Sequence, residues 1–331
     1  MKRRAVRLFA VLTVSFVVAS VAALGFGATS LSFLDFYRAI ASGDSSSVAY
    51  RVFCYVRLPR VFAAGLAGAA LATAGALIQG VLNNPLAGPN ILGINAGAGF
   101  GAVLVMALFP AATFAVPMAA FGGAMLCTLF ILVLAGRSRG GRVTVILAGV
   151  AVGSVFSAGI DTLKTLFPDL AFDADAFLIG GLGGITLAQL ASAAWLIAAG
   201  LVAAILSARC ADVLTLGDET AASLGVHVRA ARCFLLAVAA LLAGAAVSFA
   251  GLLGFVGLLV PHALRRFTGN SHRVLLPASA LGGATFVLLC DLISRTVFAP
   301  YEVAVGIVMS LIGAPLFLML LLHYKREEGE E

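Results

Sequence analysis

Ten stretches of this chain are unbroken apolar runs, and nothing else in it constrains the fold as tightly. They fall near residues 6–27, 60–82, 91–109, 111–135, 143–166, 186–208, 230–250, 252–268, 274–295 and 304–323, with the charged residues gathered between them. A helix that crosses a bilayer needs about 20 mostly apolar residues. In lipid, backbone polar groups must be satisfied within one segment or within a closed barrel. Runs that are continuous rather than alternating select helices. Hydrophobic residues make up 62% of the chain and charged residues 11%, against roughly 45–50% and about 25% in a soluble domain. A soluble fold cannot hide that much apolar surface. The expected fold is therefore an all-α integral membrane bundle of about ten transmembrane helices, one domain over 1–331.

Orientation follows from Lys and Arg in the short loops. With the N-terminus in the cytoplasm, the inner side carries fifteen of them: Lys2, Arg3, Arg4, Arg7, Arg137, Arg139, Arg142, Arg209, Arg229, Arg232, Arg265, Arg266, Arg273, Lys325 and Arg326. The outer side carries six: Arg38, Arg51, Arg57, Arg60, Lys164 and Arg295. Both termini are thus expected inside a cytoplasmic membrane, bacterial or archaeal, and the net charge of +6 reads as topology rather than as a nucleic-acid footprint. The basic start followed by an apolar run resembles a secretory signal. That run is longer than a signal core and nine more follow, so a retained first helix is expected. The five cysteines are scattered, with no CxxC and no histidine at ligand spacing, so they are expected to pack rather than to hold zinc or form disulfides. The acidic stretch Glu327 to Glu331 reads as a solvated end.

Residues 66–75 read LAGAALATAG and residues 242–251 read LAGAAVSFAG, identical at seven of ten positions. The copies lie in the second and seventh runs, five apart, so they cross the membrane in opposite directions. Inverted-topology repeats recur in transporters, packed around a pathway near the midplane. The expected halves cover approximately 57–135 and 230–323.

Small residues recur at steps of four, as Gly149, Gly153 and Ser157 in the fifth run and as Gly306 and Ser310 in the last. Such stripes let helix backbones approach; lining a translocation pathway is the functional alternative to packing. Asp161 continues the first stripe by one further step. An ionisable group within a span is expensive enough to suggest function. Asp291 and Arg295 form an i, i+4 pair in the favourable order, and neutralisation of Arg295 is the plain reading. No chain of buried acids or histidines suggests proton coupling. No Gly-x-Ser-x-Gly or HExxH motif offers catalytic chemistry, and none of the three lysines sits in GxxxxGK[ST]. A phosphate-cradling loop is absent from this sequence, so ATP and its magnesium, if used, belong on another chain.

Between the sixth and seventh runs, within 209–229, lies Asp212-Val-Leu-Thr-Leu-Gly-Asp-Glu-Thr-Ala-Ala-Ser-Leu-Gly225. Gly217 and Gly225 bracket a run suited to a helix of about two turns. Asp218 and Glu219 stand near its N-terminus, where the helix dipole favours acids. Ala221, Ala222 and Leu224 offer a small apolar surface outside the membrane, either to dock in a groove of a soluble partner or to cap the bundle.

The run from Glu219 to Gly225 resembles the EAA-type loop by which importer permeases engage their ATPase. Arg57-Leu-Pro-Arg60, Gly75-Ala-Leu-Ile-Gln79, Asn84-Pro-Leu-Ala87 and Leu92-Gly-Ile-Asn-Ala-Gly97 are similar, in order and spacing, to the FecCD-type permease family. So are Leu147-Ala-Gly-Val-Ala-Val-Gly153, Leu216-Gly-Asp, Gly254-Phe-Val-Gly-Leu-Leu-Val-Pro-His262, His272-Arg-Val-Leu-Leu-Pro277 and Leu311-Ile-Gly-Ala-Pro315. The resemblance implies a type II ABC importer permease with no cofactor and no catalytic site of its own. It implies a second permease copy or paralogue, two cytoplasmic ATPase subunits and an extracytoplasmic substrate-binding protein, with an iron chelate, haem or cobalamin as cargo. It implies that Leu216, Gly217 and the Asp218–Gly225 run couple to the ATPase. Arg57, Arg60 and Arg295 are implied to receive acidic residues of the binding protein, and the fifth span to line the pathway at the dimer axis. Snorkelling to the headgroups is the alternative for the arginines. The sequence departs from the family at Phe177 and Leu178, where a Trp is often found, and at Arg142-Val-Thr144, which lacks an adjacent hydroxyl pair. A secondary carrier for a small metabolite is the runner-up function, disfavoured by the missing acid relay and by the docking loop.

Overall fold

Apolar runs become helices throughout the computed structural model, which describes residues 2–27, 46–137 and 142–328 together with 35, 37, 38, 41 and 43; no strand occurs among them. Arg139 and residues 329–331 of the acidic tail lie outside the described residues. The elements are α1 (Lys2–Gly25), α2 (Leu58–Leu82), α3 (Ile94–Leu108), α4 (Val116–Arg137), α5 (Arg142–Leu166), α6 (Ala171–Ile179) and α7 (Leu187–Leu206). After them come α8 (Ala208–Thr215), α9 (Asp218–Ser223), α10 (Val228–Ala250), α11 (Val256–Thr268), α12 (His272–Thr296) and α13 (Val305–Glu328). The chain enters α2 through one helical turn, Val48–Arg51, and a π-helical stretch, Val52–Arg57.

Among the described residues, seven helices are long and apolar enough to cross a membrane, where the sequence suggested about ten. The apolar part of α13, Val305–Met319, is also short. The expected spans 91–109 and 252–268 are shortened because the chain reaches α3 and α11 through non-helical segments. Residues 83–93 turn before α3, and residues 251–255 are irregular before α11. At about 1.5 Å per residue, the 15 residues of α3 and the 13 of α11 reach roughly 20 Å, short of a hydrocarbon core of about 30 Å. The residue before each helix is left-handed, Gly93 at φ 61° and Phe255 at φ 62°. Glycine takes that conformation freely, whereas for an aromatic residue it is a strained backbone.

The two helices bearing the repeated decapeptide form the centre. Buried residues make up 72% of the apolar window of α2 and 67% of that of α10, against 17% for α1 and 22% for α5. α2 packs on α10 and α12, α10 packs on α4, and α3 and α11 pack on α4 and α12 respectively. Gly68 meets the backbone of Gly283 in α12, and its counterpart Gly244 meets Ala124 and Phe121 in α4. Equivalent residues of the decapeptide therefore face α12 and α4. Their fates differ at the last glycine. Gly75 lies within α2, whereas Gly251 ends α10 with φ 67°.

α2 and α11 cross without side chains between them. A Cβ on Gly75 would lie 1.8 Å from the Gly257 carbonyl oxygen. Pro261 has no N–H to offer that carbonyl, four residues earlier in the helix. Gln79, one turn beyond Gly75, supplies the donor instead. Its Nε2 donates to Gly257 O at 3.4 Å and to Leu258 O at 3.2 Å, and its Oε1 accepts from Arg265 at 3.3 Å.

Candidate functional site

Three clusters of the singled-out residues stand along the central helices. Arg60 and Gly80 lie twenty residues apart on α2, about 30 Å along its axis, so the first and second clusters occupy opposite ends of the bundle.

At one end, the three arginines converge but turn inward. Arg57, Arg60 and Arg295, implied from the sequence to receive a partner's acidic residues, are only 2%, 5% and 2% exposed. Burying a guanidinium requires partners, and each has them. Arg60 Nε donates to Asp291 Oδ1 at 2.7 Å and its Nη1 to Glu302 at 2.6 Å, while Arg295 Nε lies 3.2 Å from Asp291 Oδ2. Arg57 donates to Leu24 O (2.8 Å) and Gly25 O (2.6 Å), and Arg295 donates to Ala23 O (2.6 Å). These are the last carbonyls of α1, which no intrahelical N–H reaches, at the helix end that favours cations. Gly27 covers the cluster, its Cβ position 3.3 Å from Arg57 and 3.5 Å from Arg295. The cluster thus joins three guanidiniums, the carboxylates of Asp291 and Glu302, and the end of α1.

At the other end, the bracketed run forms α9, a helix of six residues. Leu216 and Leu224 are 61% and 60% exposed, and Glu219 and Ala222 are exposed. Ala221 is fully buried, which removes it from the apolar surface assigned to it from the sequence. Asp218 accepts from Arg232 of α10 at 2.8 Å on both carboxylate oxygens. Gly217 (φ 106°) and Gly225 (φ 83°) hold the turns on either side in conformations that a Cβ would strain. From the sequence, α8 was left inside the 209–229 loop, apart from Ala208 at the end of the preceding run. Ala208, Ala211 and Leu214 bury one face of it, and that period of three was the available signal. Asp212, on α8, accepts from the His272 backbone N–H at 2.6 Å and lies 2.8 Å from the His272 ring Nδ1.

Between the ends, the starts of α3 and α11 open on a cavity of about 600 Å³ lined by residues that include Asn90, Asn95, Phe255, Gly306 and Ser310. Asn95 donates to Asn90 Oδ1 and keeps its own buried Oδ1 without a partner. The α5 stripe divides. Gly149 is buried against Ile91 O, its Cβ position 2.3 Å away, and Gly153 faces the Gly93 Cα at 3.4 Å. Ser157 and Asp161 are exposed. Gly149 and Gly153 thus seat the turn before α3. Cys127, whose thiol donates to Gly93 O at 3.1 Å, packs into the same place.

The motif blocks quoted above interlock in space. Arg57–Arg60 meets the Asp291–Arg295 pair, Gly75–Gln79 meets Gly254–His262, and Leu92–Gly97 meets Leu147–Gly153.

The FecCD transport family model matches residues 14–323. The chain is 38% identical over 320 residues to the Fe(3+)-citrate import system permease protein YfmE of Bacillus subtilis, covering 96% of this chain and 95% of that protein. It is 36% identical over 324 residues to the hemin transport system permease protein HmuU of Yersinia pestis, covering 96% of each. A metal-chelate type ABC transporter, solved in an inward-facing conformation, superposes with a TM-score of 0.86 at 28% identity, over 96% of this chain and 98% of that one.

Proposed function

This chain belongs to the FecCD transport family, and from that membership we propose that it is the permease subunit of an ATP-binding cassette importer. Its cargo on this reading is an iron chelate, a ferric siderophore or haem, or else cobalamin, carried into the cytoplasm by alternating access. The observation that carries the proposal is the extent of the match. Residues 14–323 take in the bundle from the first helix to the last, the segment around α9 included. Iron chelates come first because the relatives are named for Fe(3+)-citrate and hemin.

On this reading α3, α11 and α13 complete a ten-pass topology with both termini in the cytoplasm. The paired contacts of Gly68 with α12 and Gly244 with α4 support the inverted repeat. So do the two left-handed residues that open α3 and α11. The segment around α9 is the contact for the ATPase subunits, which hold ATP and magnesium. Two leucines more than half exposed at the cytoplasmic end are surface that a partner's groove would bury. The end that holds the arginine cluster is the landing place of the extracytoplasmic binding protein. A partner carboxylate would reach Arg60 by taking the place of Glu302, whose side chain is 42% exposed. A secondary carrier is disfavoured because Asp291, the one fully buried carboxylate among the described residues, is already held by Arg60 and Arg295.

The test is reconstitution with the ATPase subunits and binding protein in vesicles. Leu224→Asp, which puts a charge on the exposed apolar surface, and Gly225→Val, at φ 83°, are expected to leave the protein inserted and to cut ATP-driven uptake at least tenfold. Normal uptake in both would remove the docking role. A second permease copy is proposed to pack along α5, because an exposed carboxylate at Asp161 and an exposed Ser157 do not suit a lipid-facing surface. Ser157→Leu is then expected to abolish dimers, or uptake by intact dimers, while leaving the monomer fold alone. Mass measurement in detergent separates the two, and dimeric, fully active protein would turn this face toward lipid.

A further inference from the structure

We infer that His272 is a positioning residue through which movement of the ATPase-docking segment reaches α2 and α12 together; this deepens the permease reading and rests on it. Asp212 stands on α8, six residues before α9 begins. Its Oδ1 takes both the backbone N–H of His272 (2.6 Å) and the ring Nδ1 (2.8 Å). The His272 ring is fully buried. Across it stands Gly80, where a Cβ would come within 2.3 Å of Nε2 and 2.9 Å of Cε1. One imidazole is thus clamped between α8 and the last turn of α2, and it belongs to the first residue of α12. α8 itself packs on α2, α9 and α12.

Another tie from the docking segment to the bundle is Arg232 with Asp218, whose side chain is 46% exposed. An ion pair that open to water constrains little. The imidazole contact is different in kind. A buried ring seated directly on a glycine backbone has no flexible side chain to absorb a displacement, and close-packed interiors transmit strain. Three residues past Gly80, Asn83 turns left-handed at φ 48° and starts the turn that carries Asn90 to the cavity. A shift of α8 therefore has a short, rigid route to the cavity wall and, through α12, to the arginine cluster at the far end.

Demonstrated coupling, not proximity, decides such a route. The experiment uses the full transporter, with ATPase subunits and binding protein, in vesicles. It reads co-purification of the ATPase subunits, ATP hydrolysis, and substrate taken up per ATP. Gly80→Ala, which drives a methyl into the ring, is expected to keep assembly and hydrolysis and to lower uptake per ATP at least tenfold. His272→Asn keeps a donor near the Nδ1 position for Asp212 but ends short of Gly80, and a three- to tenfold loss is expected. The double variant Gly80→Ala with His272→Asn is expected to recover to the level of His272→Asn or better, because the methyl then occupies space the ring has left. Losses that simply multiply would overturn the inference, as would normal uptake per ATP in Gly80→Ala. If Gly80→Ala does not fold, the comparison of His272→Asn with His272→Ala decides. Equal uptake per ATP in those two overturns the proposal, and a further loss in the alanine variant supports it. Should the docking reading itself fail, Leu224→Asp and Gly225→Val would assemble and transport normally whatever happens at His272.

Discussion

Asp291→Ala is expected to destabilise the folded protein by about 3–5 kcal/mol, the range found when one member of a buried ion pair is removed. Asp291 is fully buried and is bonded by Arg60 and faced by Arg295. Its loss leaves two guanidiniums buried with Glu302 and one carbonyl of α1. Mutual repulsion then adds to the desolvation that the carboxylate offset. Glu302 is the built-in control. It bonds the same Arg60 at 2.6 Å, but from a side chain 42% exposed, so Glu302→Gln is expected to cost no more than about 1 kcal/mol. Thermal unfolding in detergent compares the two, and equal small shifts would show that burial does not hold this cluster together. Glu302→Gln also frees Arg60 toward an incoming carboxylate. A titration against the binding protein at two salt concentrations should show tighter and more salt-sensitive association. Unchanged affinity would take the landing site elsewhere.

Gly75→Leu is expected to be the most disruptive single change in the membrane interior. The added Cβ alone would stand 1.8 Å from Gly257 O and 2.4 Å from Gly257 C. Both are backbone atoms of a packed helix and cannot swing aside. The helices must part, and parting them also removes Gln79 from the carbonyl that Pro261 leaves without a donor. Loss of folded protein by size-exclusion and by protease resistance is the expected result. Gly122→Leu, on α4 at a position with nothing within 4 Å of its Cβ, should be tolerated. Similar yields for the two variants would mean that α2 and α11 do not meet in the folded protein as described.

The positions of the helices were legible because lipid imposes length and polarity on any segment that crosses it, and the ends of α2, α7, α10 and α12 fall within a few residues of the apolar runs, apart from the turns that lead into α2. α3 and α11 were read too long because hydropathy does not distinguish helix from the partly buried irregular segments at 83–93 and 251–255. The arginines show the other limit. Their place at span ends was plain, but their direction depends on the carbonyls of α1, and a carbonyl leaves no mark in a sequence. Ala221 is a similar case, since a small apolar residue on a six-residue helix reads the same on either face. Asp212 gave no hint of His272, because sixty residues separate them.

The arginine cap on α1 joins residue 23 to residue 295, and so bears on how the protein is made. At synthesis rates of about 5–20 residues per second, the C-terminal end of the first helix must wait roughly 15–55 seconds for the guanidinium that completes it. Until then Arg57 alone can hold those carbonyls. The N-terminal helix is therefore among the first to be inserted and among the last to be secured. A ribosome that stops short of Arg295 leaves behind a chain in which the Ala23 carbonyl still lacks its guanidinium.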